Sequence, residues 1–271
     1  ILTLLSGRFV SFRIRPFSYK EILEFCNEIN REITPMDYVI WGGFPARFNF
    51  NDVESTKLYL EDLENTIIFN VLIKRYNIKK IIAFKKIVSY ILMNNSRVYS
   101  SRSIHKNIKN QCENISLNTV IKYLEYLKEA YIIDEIPQYS TKAKKELSYY
   151  CKIYNADVCF NSLRVNNNRY DIDHNLENIV YNELLYMGYN VKLYDNAGKE
   201  IDFIATKNNK VFLIQVAYSV VDEKAYQREF GAFSNIDNSN QKIIITTDNI
   251  DFSTSTVKHI KLDDFLLMEE L

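Results

Sequence analysis

At 271 residues and 32.0 kDa the chain is long enough for two or three small domains, and its 47% hydrophobic content with only 6 Gly and 4 Pro excludes a disordered or fibrous protein. No apolar run approaches the ~20 residues needed to cross a bilayer, and Ile1 to Ser6 lacks the charged flank of a signal peptide, so a membrane or exported protein is not expected. The 34 basic and 34 acidic residues cancel only in total: residues 1–75 carry −1, 76–152 carry +8 and 153–271 carry −7. A segment at +8 can attract a polyanion such as DNA, or it can pair with the −7 segment of the same molecule; charge alone leaves both open. Cys26, Cys112, Cys151 and Cys159 show no Cys-x-x-Cys pairing and no companion histidines, which points to reduced thiols in the cytoplasm and away from zinc.

The run Phe9 to Ile14 reads as a strand between Gly7 and Pro16. Ser18 and Glu21 form a capping-box pattern ahead of a helix with Ile22, Leu23 and Phe25. Met36 to Trp41 reads as a short helix stopped by Gly42-Gly43 and Pro45, and Glu54 to Tyr76 as a longer one. Residues 1–75 are therefore expected to be mostly helical.

In residues 76–160 three helices are expected: Lys79 to Met93, Ser103 to Asn110, and a third capped by Ser116 with Leu117, Val120, Ile121, Leu124 and Leu127 on one face. Two β-rich runs follow, Ala130 to Ile136 and Leu147 to Tyr154, joined by a stretch holding Lys142, Lys144 and Lys145. Three short helices and a basic-tipped hairpin outline a winged helix-turn-helix. In that arrangement Lys122 of the third helix and the three tip lysines are the candidate DNA contacts, and Tyr149 and Tyr150 could stack on bases. The same outline serves equally as a protein-packing module, and Glu125 on the exposed side of the third helix favours that alternative.

Residues 161–271 alternate. A helix His174 to Met187 precedes strands Tyr189 to Tyr194, Glu200 to Thr206 and Val211 to Ala217, whose short connectors predict a meander; then come helix Asp222 to Asn235 and strands Gln241 to Thr247 and Val257 to Leu262. The fold class is α/β in a multi-domain α+β chain, with αβββαβ order in the tail. Strand periodicity puts Glu200 and Asp202 on one face, and Gln215 on one face of the next strand. If Glu177 faces the same spot, Glu177, Asp202 and a carbonyl oxygen of Gln215 make a set of hard oxygen ligands suited to Mg²⁺, whose natural work is phosphodiester hydrolysis. His105, His174 and His259 are scattered and lack a metal-ligand spacing.

The segments LENIVYNELLYMGY, KEIDFIA and VFLIQVAY resemble the PD-(D/E)XK nuclease-like fold. The resemblance implies catalytic and metal-binding roles for Glu177, Asp202 and Gln215, and it places the motif lysine at position 217, where this chain has Ala217; Lys199 and Lys224 are the nearby candidates to replace it. Without that lysine, which would stabilise charge building on phosphate, weak or absent cleavage is expected. LSGRFVSFRIRPFSYKEIL, WGGFP and YLEDLENTIIFNVLIKRYNI extend the resemblance to the C-terminal two-thirds of prokaryotic AAA-type ATPases that carry a winged helix and a nuclease-like tail. No Gly-x-x-x-x-Gly-Lys-(Ser/Thr) occurs in the 271 residues, so ATP binding is expected in a part that precedes them, with Arg8 at most near the nucleotide. The expectation is a DNA-associated region of such an ATPase; the alternative is a non-enzymatic platform for a protein partner.

Overall fold

The computed structural model describes residues 12–109, 115–139, 151–165, 169–196, 199–237 and 239–271. It is a mixed α/β chain with two sheets. Helix α1 (Tyr19–Glu28) starts as its sequence requires: Ser18 accepts from the Glu21 N–H while the Glu21 carboxylate accepts from the Ser18 N–H at 2.8 Å. Helix α2 (Pro35–Trp41) carries a second such box, Thr34 with Asp37, and has Pro at its first position. The two glycines that follow are sites of close approach. Gly42 has φ +68° and ψ −159°, and a Cβ there would stand 1.7 Å from Oδ1 of the buried Asp157, whose other oxygen accepts from the Gly43 N–H at 2.7 Å.

One expectation for this part needs correction. Phe12 to Ile14, the described portion of the expected first strand, lies in no strand; Phe12 and Ile14 are exposed because none of the described residues covers the face they share, and Arg13 and Arg15 make the contacts instead, both to Asp134. The helix expected over Glu54 to Tyr76 runs unbroken from Val53 to Arg75 and contains a π-helical stretch: α3 (Val53–Glu64), a π-helical turn (Asn65–Val71) and α4 (Leu72–Arg75). Leu60, Glu64, Ile68 and Leu72 are all buried, and their spacing of four drifts by about 40° per step in a 3.6-residue helix; the wider π turn takes up that drift.

Next come α5 (Ile81–Met93), β1 (Val98–Tyr99), α6 (Ser101–Lys109), α7 (Leu117–Glu129), β2 (Ile133–Pro137) and β3 (Cys151–Asn155), with the three strands antiparallel in the order β1-β3-β2. Ser116 caps α7 as anticipated, and Val120, Leu124 and Leu127 are buried. Ile121, placed on the core face of this helix, is exposed, as are Ile81 and Ile82 at the start of α5, since an apolar face wider than the contact it makes leaves its flanks in water. Residues 140–150, with Lys142, Lys144, Lys145, Tyr149 and Tyr150, lie outside the described residues.

After α8 (Cys159–Ser162), helix α9 (Ile172–Tyr186) leads into β4 (Asn190–Asn196), β5 (Lys199–Lys207) and β6 (Lys210–Val216), an antiparallel meander. Helix α10 (Glu223–Gly231) crosses to β7 (Gln241–Thr246), parallel to β6, and β8 (Val257–Lys261) pairs parallel with β7 before α11 (Leu262–Phe265). α10 stops short of the expected Asn235.

Strand alternation sorts the five-stranded sheet into two faces. Phe203, Ala205, Phe212, Ile214 and Ile243 pack with Leu176 and Val180 of α9 and with Tyr19, Ile22 and Tyr38 of α1 and α2, so the first helices and the tail sheet share one core. Ile204, Leu213, Ala217 and Ile244 pack on the other face with Ala232 and Phe233 after α10. The small sheet joins the large one at an edge, where the Tyr139 N–H donates to the Leu193 carbonyl at 2.7 Å.

Candidate functional site

Asp202 and Gln215 lie on neighbouring strands and on the α10 face of the sheet. The Gln215 side-chain oxygen accepts from the Asp202 backbone N–H at 3.3 Å, its amide donates to Glu229 Oε2 at 2.7 Å, and Asp202 Oδ2 accepts from the Val216 N–H at 2.8 Å. Glu177 belongs to α9, which packs on the opposite face, so periodicity alone does not bring it to Asp202. Lys152 does. From β3 its ammonium lies 2.8 Å from Glu177, 2.5 Å from Glu200 and 3.5 Å from Asp202, and Tyr154, two residues along the same strand, donates its hydroxyl to Glu177 at 2.5 Å.

The site is therefore one ammonium among three carboxylates, at the foot of an open pocket of about 570 Å³ lined by Lys152, Lys199, Glu200, Asp202, Gln215 and Arg228. The Lys152 side chain is 7% exposed, and those of Glu177 and Asp202 are 12% and 10% exposed. Burial alone would push the Lys152 ammonium down, but the carboxylates of Glu177, Asp202 and Glu200 overcome it and hold the ammonium above its ordinary range. Burial and the neighbouring Glu177 push the Asp202 carboxyl well up despite Lys152, because three carboxylates share a single counter-charge.

A divalent cation does not fit this arrangement. Lys152 stands between the carboxylates, Asp202 has one oxygen on Lys152 and the other on a backbone amide, and the Gln215 side-chain oxygen points at the Asp202 N–H. Among the described residues no group of three or more His, Cys, Asp or Glu side chains is spaced to hold a metal ion.

Ala217, at the position of the missing lysine, is buried among apolar side chains. Lys199 lines the pocket, but its ammonium donates to the Gly231 carbonyl and to Ser234 Oγ; Lys224, on α10, is exposed and does not line the pocket. The lysine at the site, Lys152, comes from a segment read from sequence as part of the basic hairpin. A signal for it was present: Lys152 shares a strand face with Tyr154, inside an otherwise apolar run, and a lone lysine on a buried strand face requires an anionic partner. Glu229 on α10, which Arg228 ion-pairs at 2.6 Å, was also missed.

The other candidates are occupied elsewhere. His174 pairs with Asp171 at 2.7 Å, His259 contacts Thr246 Oγ1 at 2.8 Å, and His105 the Ile115 carbonyl at 2.9 Å. Lys122 is exposed on α7 between Glu125 and Asn118. Among the described residues Cys26, Cys151 and Cys159 are free thiols, and no helix is long and apolar enough to cross a membrane.

A mixed α/β protein with an acidic, lysine-filled sheet site is the class that fold and geometry define. Residues 34–169 match a family described as "Domain of unknown function (DUF8612)", half of the chain, and the protein belongs to that family. Residues 173–265 match a second, "Domain of unknown function (DUF4143)", a domain found in AAA-ATPase-associated C-terminal regions. The chain is 28% identical over 250 residues to an uncharacterized protein of Haemophilus influenzae, covering 91% of this chain and 62% of that one. It is 29% identical over 270 residues to an uncharacterized protein of Methanocaldococcus jannaschii, covering 92% and 60%. It thus spans about three-fifths of the length of these curated relatives.

Proposed function

We propose that this chain is the C-terminal region of an AAA-type ATPase, a DNA-associated unit built from a winged helix and a nuclease-like domain whose acidic site is occupied by an internal ammonium and does not cleave DNA at an appreciable rate. The observation that carries the reading is the position of the Lys152 ammonium, within 3.5 Å of Glu177, Glu200 and Asp202. Metal-assisted phosphodiester hydrolysis needs a cation with open coordination positions to polarise the phosphoryl oxygen and to lower the pKa of a water. An ammonium holds carboxylates together but offers neither. The order α5-β1-α6-α7-β2-β3, with its β1-β3-β2 sheet, supports the winged-helix part of the reading.

The test is a plasmid-nicking assay with Mg²⁺ and with Mn²⁺. The expected result is no nicking beyond that of Asp202→Asn; efficient nicking abolished by that substitution overturns the reading. A protein-interaction platform is the second reading, favoured by the exposed face of α7, where Glu125 and Glu129 accompany Lys122. It predicts no affinity for duplex DNA at low salt.

A further inference from the structure

Resting on that DNA-associated reading, the question is which surface meets the nucleic acid, and α7 is poorly equipped for it. Lys128 is engaged with Glu125 at 2.8 Å and with Glu135, which leaves Lys122 beside the exposed Glu125 and Glu129. The charge lies elsewhere. Residues 65–112 contain ten Lys or Arg and no Asp or Glu. Within them α6 carries Arg102, Lys106 and Lys109, all exposed, opposite its buried Ile104 and Ile108. At 100° per residue the three cations fall within about 60° of one another and extend over roughly 10 Å of the helix. A duplex offers one phosphate per 3.4 Å of axis on each strand, roughly three along that length.

Helix stability does not account for the stripe. Lys106 and Lys109, near the C-terminus of α6, suit the helix dipole, but Arg102 sits in the first turn, where the dipole opposes a cation. Intramolecular pairing does not account for it either, since none of the three takes part in an ion pair among the described residues. Asn107, on the flank of the stripe, donates to the Tyr90 hydroxyl of α5, so the α5 face that also bears the exposed Lys86 borders the stripe.

We infer that the phosphate backbone of a nucleic acid is held by the α6 face carrying Arg102, Lys106 and Lys109, with α7 in a secondary role. Such a surface reads charge and not base sequence, so its binding is sequence-tolerant and strongly dependent on salt.

The experiment is fluorescence anisotropy of a labelled duplex with the full chain between 50 and 200 mM salt, a range over which about three phosphate contacts are readily resolved. The variants are Arg102→Gln/Lys106→Gln/Lys109→Gln and, separately, Lys122→Gln. All four positions are exposed, and the unfolding midpoint of each variant checks that it is folded. The triple variant is expected to lose about tenfold or more in affinity and to flatten the log–log salt slope by about 2.7, at 0.9 per phosphate contact. Lys122→Gln is expected to change affinity by less than about twofold. Unchanged binding by the triple variant, with the loss falling on Lys122→Gln, overturns the inference and leaves the DNA-associated reading standing. Absence of duplex binding by the parent chain at low salt overturns both, and retention on phosphatidylserine vesicles without duplex binding reassigns the stripe to an anionic lipid surface.

Discussion

Replacing Lys152 by Met removes the only positive charge in contact with Glu177, Glu200 and Asp202 among the described residues while keeping most of the side chain's volume. Glu200 is 47% exposed and contributes little once water screens it. The cost falls on Glu177 and Asp202, which are left buried with no counter-charge, the situation in which loss of one partner destabilises by about 3–5 kcal/mol. Set against a total stability of about 5–15 kcal/mol, this is a large fraction, and it should appear as a lower urea midpoint at pH 7 with an unchanged m-value. The deficit should shrink as the pH falls. Burial and Glu177 already raise the Asp202 carboxyl, so without Lys152 it takes up a proton more readily, and the protonated acid no longer needs the ammonium. Lys152→Met/Asp202→Asn should recover part of the loss, giving a coupling energy that neither single variant explains. A loss below about 1 kcal/mol at pH 7, the value for an exposed pair, would refute the reasoning.

Two further substitutions test the frame that carries the site. Glu183 is buried between α9 and the first helices, where it accepts from the Tyr19 N–H at 3.0 Å and the Tyr38 hydroxyl at 2.8 Å, and burial pushes its carboxyl up to about 7. A carboxyl raised in the folded state contributes stability that is fully present below its unfolded value near 4.5 and is lost as the pH rises through about 7. Urea midpoints at pH 5, 6.5 and 8 should therefore show the parent chain losing up to about 3 kcal/mol more than Glu183→Gln across the interval, and parallel curves would contradict this. Gly42→Ala should destabilise by at least about 1–3 kcal/mol for its backbone conformation alone, with more from the contact at Asp157, and calorimetric melting that shows no decrease would count against the close approach of α2 to that carboxylate.

Much of the fold is legible in the sequence because local signals agree with their surroundings: the Ser18–Glu21 box, the Ser116 cap and the meander from Asn190 to Val216 all depend on neighbours a few residues apart. The errors occur where distant packing decides. The π turn at Asn65–Val71 keeps four buried positions in phase against a core the sequence does not display, and Phe12 to Ile14 has strand composition but pairs with no strand among the described residues. The site divides in the same way. Asp202 and Gln215 follow from strand periodicity and do meet, whereas Glu177 joins them through Lys152, which lies 25 residues before Glu177 and 50 before Asp202. No pattern of spacing within the tail can reveal a lysine delivered by another sheet, and Ala217 at the expected position gives no hint of where the charge has gone.

Isothermal titration of the full chain with Mn²⁺ at neutral pH, compared with Asp202→Asn, tests most directly whether the Lys152 ammonium is the cation of this carboxylate set. The account predicts heats indistinguishable between the two proteins. Stoichiometric Mn²⁺ binding by the parent chain that Asp202→Asn removes would contradict it, because the ion would then hold the ground assigned to the lysine.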